Sequence, residues 1–172
     1  MAVADVFDIE KKKVAEVEWK PLHILNNVSA SVGSVIKPAG YENSQNIISA
    51  AYLKDVSDPQ WDNDAGMKQF LDFLAKDFPE GNKLDGSVVV GYGVAQTLVQ
   101  VLKNCGDNLT RENVMKQATS LKGFQLDLSL PAIVGNTSPT DYRVNKQLQM
   151  MKFDGERWEG FGPIIEDTST NG

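Results

Sequence analysis

Between residues 4 and 52, short apolar runs alternate with helix-like segments, and few folds accommodate that rhythm. ADVFDI (4–9) is β-prone, with apolar residues at alternate positions. KKKVAEVEW (11–19) sets Val14 and Val17 on one helical face. PLHIL (21–25) reads as a strand, because Pro21 bars a helix and suits a strand's first position. Ser29 or Ser31 then caps a short helix that runs to about Lys37, where Pro38 and Gly40 stop it. NIISAAY (46–52) is a third strand. A β-α-β-α-β order within about fifty residues predicts an α/β chain with a parallel sheet and crossover helices. The chain has 172 residues, enough for one domain or two small lobes.

Beyond Leu53 the pattern changes. LKDVSDPQWDNDAG (53–66) is a turn-rich connector. Met67, Phe70, Leu71, Leu74 and Phe78 then recur at helical spacing. SVVVGYGVAQTLVQVLKNCG (87–106) is a long apolar helix with Gly106 as its stop, and its expected core side is Val90, Val94, Leu98, Val101 and Leu102. Thr110 caps a further helix that turns Val114, Met115 and Ala118 inward. Strand and turn patterns follow Gly123. Asp154-Gly155 is a two-residue hairpin signal, with Trp158 on the return strand.

Composition removes several classes of function. The net charge is −6, so a phosphate backbone would be repelled, and nucleic acid is not an expected partner. The one basic run, Lys11-Lys12-Lys13, stands beside Glu10, Glu16 and Glu18 and reads as a solvated helix face. A single cysteine, Cys105, allows no internal disulfide and reads as a packing residue at a helix end. With one histidine, His23, and no paired ligand spacing, neither a zinc site nor a histidine-based triad is expected. No apolar run is long enough to span a bilayer, and the N-terminus lacks a signal-peptide pattern.

Three motifs invite a functional reading and carry little. Gly91 and Gly93 form a G-x-G, but Gln96 stands at the third glycine position and the helical stripe runs straight through. A dinucleotide fingerprint needs strand–turn–helix, so close helix packing is the expected role. Asp55, Asp58, Asp62 and Asp64 lack the glycine and terminal glutamate of a calcium loop and read as a solvated connector. The three Asn-x-Ser/Thr sequences at Asn27, Asn108 and Asn136 match a pattern that arises easily by chance.

HILNNVSASVGSV (23–35) is more informative. The apolar run Leu22, Ile24, Leu25 stops at two asparagines, small hydroxyl residues Ser29, Ser31 and Ser34 follow, and apolar spacing resumes at Val28, Val32, Val35 and Ile36. Such a junction suits a small polar molecule docked on free backbone N–H groups, and it equally suits a plain capped turn.

VAEVEWKPLHILNNVSASVGSVIKPAG resembles the second lobe of type I periplasmic solute-binding proteins, in the branched-chain amino acid (Leu/Ile/Val) branch of ABC transporters. NIISAAYLKDVSDPQWDNDAGMKQFLDFL, GYGVAQTLVQVLKNCGDNLTRENVMKQA and VGNTSPTDYRVNKQLQMMKFDGERW continue the resemblance collinearly, from about residue 14 to 166. It implies a partial type I periplasmic-binding-protein fold: a parallel sheet with flanking helices plus a C-terminal β-hairpin. By the same token residues 1–55 form part of the second lobe, 65–122 the part returning to the first lobe, and 143–166 a hairpin returning to the second. Residues 167–172 are then a flexible tail, and 53–64 and 122–142 are candidate hinges.

The resemblance further implies solute capture without catalysis or cofactor, a periplasmic setting, and an ABC permease as partner. The segment matching the second-lobe ligand loop is Asn26, Asn27, Val28 and Ser29. Amino-acid binders of the family often carry a carboxylate near Asn27, and asparagine brings no charge there. The first-lobe half and a leader have no counterpart, so the chain is expected to be a C-terminal portion, to bind amino acids weakly or not at all, and to self-associate through residues 87–105. Two other readings stand beside this one: a remnant acting as a non-binding interaction or assembly protein, and a small Rossmann-like enzyme.

Overall fold

The computed structural model describes residues 9–10, 12–14 and 16–169. The strand expected at 4–9 lies outside the described residues except for Ile9, which is helical with Glu10 and residues 12–14 and 16. The principal elements are strand β1 (Ile48–Ala51), helices α1 (Ala65–Asp77), α2 (Gly86–Cys105) and α3 (Arg111–Ala118), and strands β2 (Gln147–Phe153) and β3 (Trp158–Glu166). Ahead of β1, a 3-10 turn Asn27–Ser29 leads into a π-helical turn Val32–Ile36 and one α turn, Lys37–Ala39. Ser31 caps this helix, accepting from the Ser34 amide at 3.4 Å, and Gly40 ends it at φ 92°.

The mixed helix–strand class is as expected, but the sheet needs correction. Its order is β1-β2-β3, and both ladders are antiparallel. Among the described residues, parallel pairing is confined to one bridge, Ile24 with Ile48, held by Leu25 N–H to Ile48 O at 2.8 Å and Ile48 N–H to His23 O at 2.9 Å. So 21–25 does run parallel to β1 across the helical turn 32–39, but Pro21 and Asn26 bound it too tightly for a ladder. The hairpin forms as expected with Trp158 on its return strand, but its connection spans the four residues 154–157 rather than the two-residue turn Asp154-Gly155, with Asp154 N–H to Arg157 O at 3.1 Å and Asp154 Oδ1 accepting from the Glu156 and Arg157 amides.

Three apolar clusters follow the chain order. Val32, Val35, Ile36 and Ile47 pack with Met151, Phe153 and Trp158, so the helical turn lies on the small sheet. Met67, Phe70 and Leu74 of α1 meet Val89 of α2 and Leu128. Val101 and Cys105 meet Leu121, with Val114 and Ala118 of α3 against them. The core side expected for α2 therefore needs correction. Val89, Val101 and Cys105 are buried, whereas Val90, Val94, Leu98 and Leu102 face water. A helix apolar on two faces does not announce which face is inside. Met115 of α3, also expected inward, is exposed.

The two connectors pair with each other. Leu53 bridges Ser129, Lys54 N–H reaches Leu128 O at 2.8 Å, and Leu130 N–H reaches Tyr52 O at 2.9 Å. Here Lys54 is 8% exposed, and its ammonium donates to Asp64 Oδ1 at 2.7 Å and Asp127 O at 2.9 Å. At the far end, Arg143 ties residues 167–169 down, with hydrogen bonds to Asp167 Oδ2 at 2.6 Å and Ser169 O at 2.7 Å.

Close approach explains one glycine. A Cβ on Gly66 would stand 2.1 Å from the Asp127 carbonyl oxygen, and a backbone atom cannot swing aside. The close helix packing expected for the G-x-G is not seen at either glycine: a Cβ on Gly93 would make only ordinary contact with the Leu126 side chain at 3.4 Å, and Gly91 has open space. Gly66→Ala is expected to lower stability by about 2 kcal/mol through overpacking. Gly91→Ala is expected to be neutral or to raise it by up to about 1 kcal/mol through helix propensity. Urea denaturation of the two variants checks this, and equal effects would contradict the packing at Gly66.

Candidate functional site

A cleft of about 720 Å³ opens between the loop after 21–25, the connector that follows β1, and the N-terminal half of α2. Asn27, Val28, Ser29, Ala30 and Ser31 form one wall. Tyr52, Asp55 and Trp61 stand on the connector side, and Asp85, Ser87, Val89 and Val90 stand at α2. Leu130, Met151 and Trp158 complete the lining.

Local chemistry shapes the loop. Asn26 caps the 3-10 turn, its Oδ1 accepting from the Val28 amide at 2.9 Å. That cap is the turn role open to this segment from its sequence, and Asn26 is not among the cleft-lining residues. The cap leaves Val28 82% exposed at the cleft edge and turns Ser29 inward, to 5% exposure. The Ser29 amide donates to Asn26 O at 3.0 Å, while its hydroxyl has no hydrogen-bond partner among the described residues. A buried hydroxyl without a partner costs roughly 1–3 kcal/mol, so such groups call for an explanation. From behind, Trp158 Nε1–H donates to Ala30 O at 2.7 Å and fixes the loop to the hairpin.

The charged groups around the cleft are already engaged. Asp55 accepts from the Val32 amide at 2.8 Å and from the Ser57 amide at 2.8 Å. Asp58 caps the 3-10 turn Pro59–Trp61, accepting from the Gln60 amide at 2.9 Å, and Asp85 caps α2 through the Ser87 amide at 2.8 Å. Lys54 pairs with Asp64 and lies 5.4 Å from the Trp61 ring centre. The carboxylates read from sequence as a solvated connector are thus structural caps, except that Asp62 makes no side-chain bond among the described residues. What the cleft wall offers is amides, hydroxyls and aliphatic surface.

Burial works against the Asp64 carboxylate, but the Lys54 ammonium and the Met67 and Gly66 amides outweigh it and hold its pKa below the ordinary value. Burial pushes the Tyr92 phenol well up, helped by Asp127, which accepts its O–H at 2.8 Å. Gln96 brackets the same carboxylate, donating to Asp127 Oδ2 while its Oε1 accepts from the Asp127 amide at 3.2 Å. This cluster pins α2 to the segment carrying Leu126 and Leu128. It was not legible beforehand, because nothing local links Tyr92 and Gln96 to a residue some thirty positions away.

Solved structures of ABC transporter proteins are similar to this chain in fold. A branched chain amino acid ABC transporter from Thermus thermophilus with bound valine superposes with a TM-score of 0.69 at 13% identity, covering 96% of this chain and 44% of that one. A substrate-binding protein of an ABC transporter from Aeropyrum pernix gives 0.70 at 11% identity, covering 96% and 43%. The chain carries part of the type I periplasmic-binding-protein fold. A fatty acid ABC transporter substrate-binding protein from Thermomonospora curvata shares the fold too, with a TM-score of 0.62 at 18% identity over 94% of this chain and 41% of that one. The chain therefore spans about two-fifths of the length of these solute-binding structures. No sequence-family profile matches it, and no curated relative matches it.

Two measurements check the local chemistry of this partial binding-protein fold. Since the folded pKa of Asp64 is depressed, its contribution to stability is present above the ordinary aspartate value near 4. It is lost as pH falls toward the lowered value. Denaturation between about pH 6 and pH 2 should therefore show a loss of stability that is smaller in Asp64→Asn; an identical acid profile would contradict the pair. Trp158→Phe keeps an aromatic ring in the core but deletes the pyrrole half of the indole together with its N–H to Ala30. We expect a loss of about 1 kcal/mol and faster amide exchange confined to 27–31. Unchanged exchange there would show that the hairpin does not hold the loop.

Proposed function

We propose that this chain is a C-terminal portion of the substrate-binding component of an ABC importer, and that the cleft beside Asn27, Val28 and Ser29 is its half of the solute site. The observation that carries the reading is the buried Ser29 hydroxyl, unpartnered among the described residues, in a cleft walled by aliphatic and aromatic side chains. A bound solute would complete that hydrogen bond, with the exposed Asn27 amide at the rim. Asn26 acts behind them as the cap that sets the turn.

The solute is a small amphipathic molecule, a branched-chain amino acid or a related compound. Asp55, Asp58 and Asp85 are occupied with backbone amides and Lys54 with Asp64. A zwitterion's charges are therefore left to groups outside this wall. The paired connectors 53–64 and 122–142 serve as hinges, and ligand contacts on both sides of the cleft favour closure. An extracellular or periplasmic setting and handover to a permease go with this role. The enzyme reading finds no support: Gly91 and Gly93 lie inside α2 rather than at a strand–helix turn, and the structural neighbours are solute-binding receptors.

Amide chemical shifts of the chain titrated with valine, leucine and octanoate test the site. We expect fast-exchange shifts at millimolar ligand, clustered on 27–31 and 86–90 and reduced by Ser29→Ala. One open wall buries little ligand surface, so affinity stays low. Shifts clustered elsewhere would overturn the site, and sub-micromolar affinity for an amino acid would overturn its incompleteness.

A further inference from the structure

A contact across the cleft joins its two sides without any connector residue. Ahead of α2 the chain makes a tight turn: Asn82 Oδ1 accepts from the Leu84 amide at 3.0 Å, and the Asp85 amide donates to Asn82 O at 3.0 Å. Asn82, Lys83 and Asp85 are exposed, whereas Leu84 is half-buried and belongs to none of the three apolar clusters. Leu84 lies instead on Gly33, across the cleft. A Cβ on Gly33 would stand 3.2 and 3.3 Å from the two Leu84 methyl carbons. The leucine therefore rests on bare backbone, and glycine is the residue that leaves it room.

We propose that Leu84 is the latch of the cleft: seated on Gly33, its side chain sets how far the α2 side closes on the loop 27–31. The proposal rests on the reading of the connectors as hinges. Leu84, Ser34 and Val35 all line the cleft, so the contact borders the site itself. Gly33 lies in the π-helical turn Val32–Ile36, where the Ile36 amide donates to Ser31 O at 3.1 Å. Turns of this kind are rare and gather at functional sites. Asp55, on the first connector, holds the entry of the turn through the Val32 amide.

The two sides are also joined through the connectors, where Trp61 packs against both the sheet cluster and the α1–α2 cluster. That attachment survives a hinge motion, because it lies on the hinge. The Leu84 contact does not survive it. Opening the cleft would lift the leucine off Gly33 and turn its methyls to water, beside polar neighbours that give them no other cover. Covering two methyl groups shifts a closed-to-open ratio by about ten-fold. Such a bias favours closure and still lets solute enter. It raises apparent solute affinity by no more than the same factor, since only the closed state makes both sets of contacts.

Nuclear magnetic resonance of the full chain, without added solute, tests the latch. Overhauser contacts between the Leu84 methyls and the Gly33 α protons are expected. Residual dipolar couplings of β1–β3 and of α1–α2 should fit the relative orientation seen in the structure. Leu84→Asp and Gly33→Leu should each turn the two sets of couplings apart, with the closed-to-open ratio lowered about ten-fold. Gly33→Leu reaches the same end from the other side of the contact, and leucine does not weaken a helical turn by propensity. Lys83→Ala, on the same turn, should leave the orientation unchanged. Unchanged orientation in both latch variants, or no Leu84–Gly33 contact in the parent chain, would overturn the proposal. Loss of folding in Leu84→Asp would overturn it as well, because a latch lies outside the cores. The couplings are read without solute, so the cleft can fail as a solute site while the latch stands.

Discussion

A buried ammonium organises the middle of this molecule. Taking Lys54 out of water is affordable only with full compensation, and it comes from Asp64 Oδ1, the Asp127 carbonyl and the face of Trp61. Those partners lie on three different stretches of chain. Asp64 is also the N-cap of α1, accepting from the Met67 amide at 2.9 Å, so one carboxylate serves the ammonium and the helix start together. Gly66 lets α1 approach the same Asp127 carbonyl closely enough for the arrangement to close. The connectors thereby become a paired, defined unit, and the positions of α1, α2 and the cleft follow from it.

The cleft depends on a second long-range tie. The loop 27–31 is polar and mostly exposed, and little within it would hold a single conformation beyond the Asn26 cap. Its anchor is the Trp158 indole, 128 positions later, whose ring packs edge-on against Phe153 at 5.4 Å. On the other side Asp55 grips the Val32 amide at the entry of the helical turn. Hairpin, loop and connector therefore move as one wall. That is the rigidity a binding site needs.

Where local chemistry decides, sequence and structure agree. Thr110, Ser31 and Asp154 each place an oxygen on amides two or three residues ahead, and their caps and turns are observed. Helical spacing marked Met67, Phe70, Leu71, Leu74 and Phe78; Met67, Phe70 and Leu74 are buried, Leu71 is half-buried, and Phe78, at the helix end, is exposed. Agreement fails where several partners compete. The parallel sheet shrank to one bridge because Pro21 and Asn26 cut 21–25 short, while the other edge of β1 pairs antiparallel with β2, a hundred residues away. On α2 periodicity found apolar residues on two faces, and contact with α1 chose the Val89 side over the Val90 side. Of the candidate ligand residues, Asn26 is the turn's cap, and Asn27, Val28 and Ser29 line the cleft.

The sequence by itself determined the three longer helices with their caps, the absence of acidic residues on α2, and the polar break after Leu25. Each follows from contacts within a few residues: caps, glycine stops, and the 3.6- and 2-residue periods. Only tertiary structure decided that Ser29 is buried while Val28 is bare, that the acidic connector is largely a set of caps, and that Lys54 lies inside. Burial and pairing of those groups depend on which distant backbone amides and carbonyls come within about 3 Å. Pairings of that kind, such as Trp158 with Ala30 or Lys54 with Asp127, have no local signature, because their partners share no segment of chain.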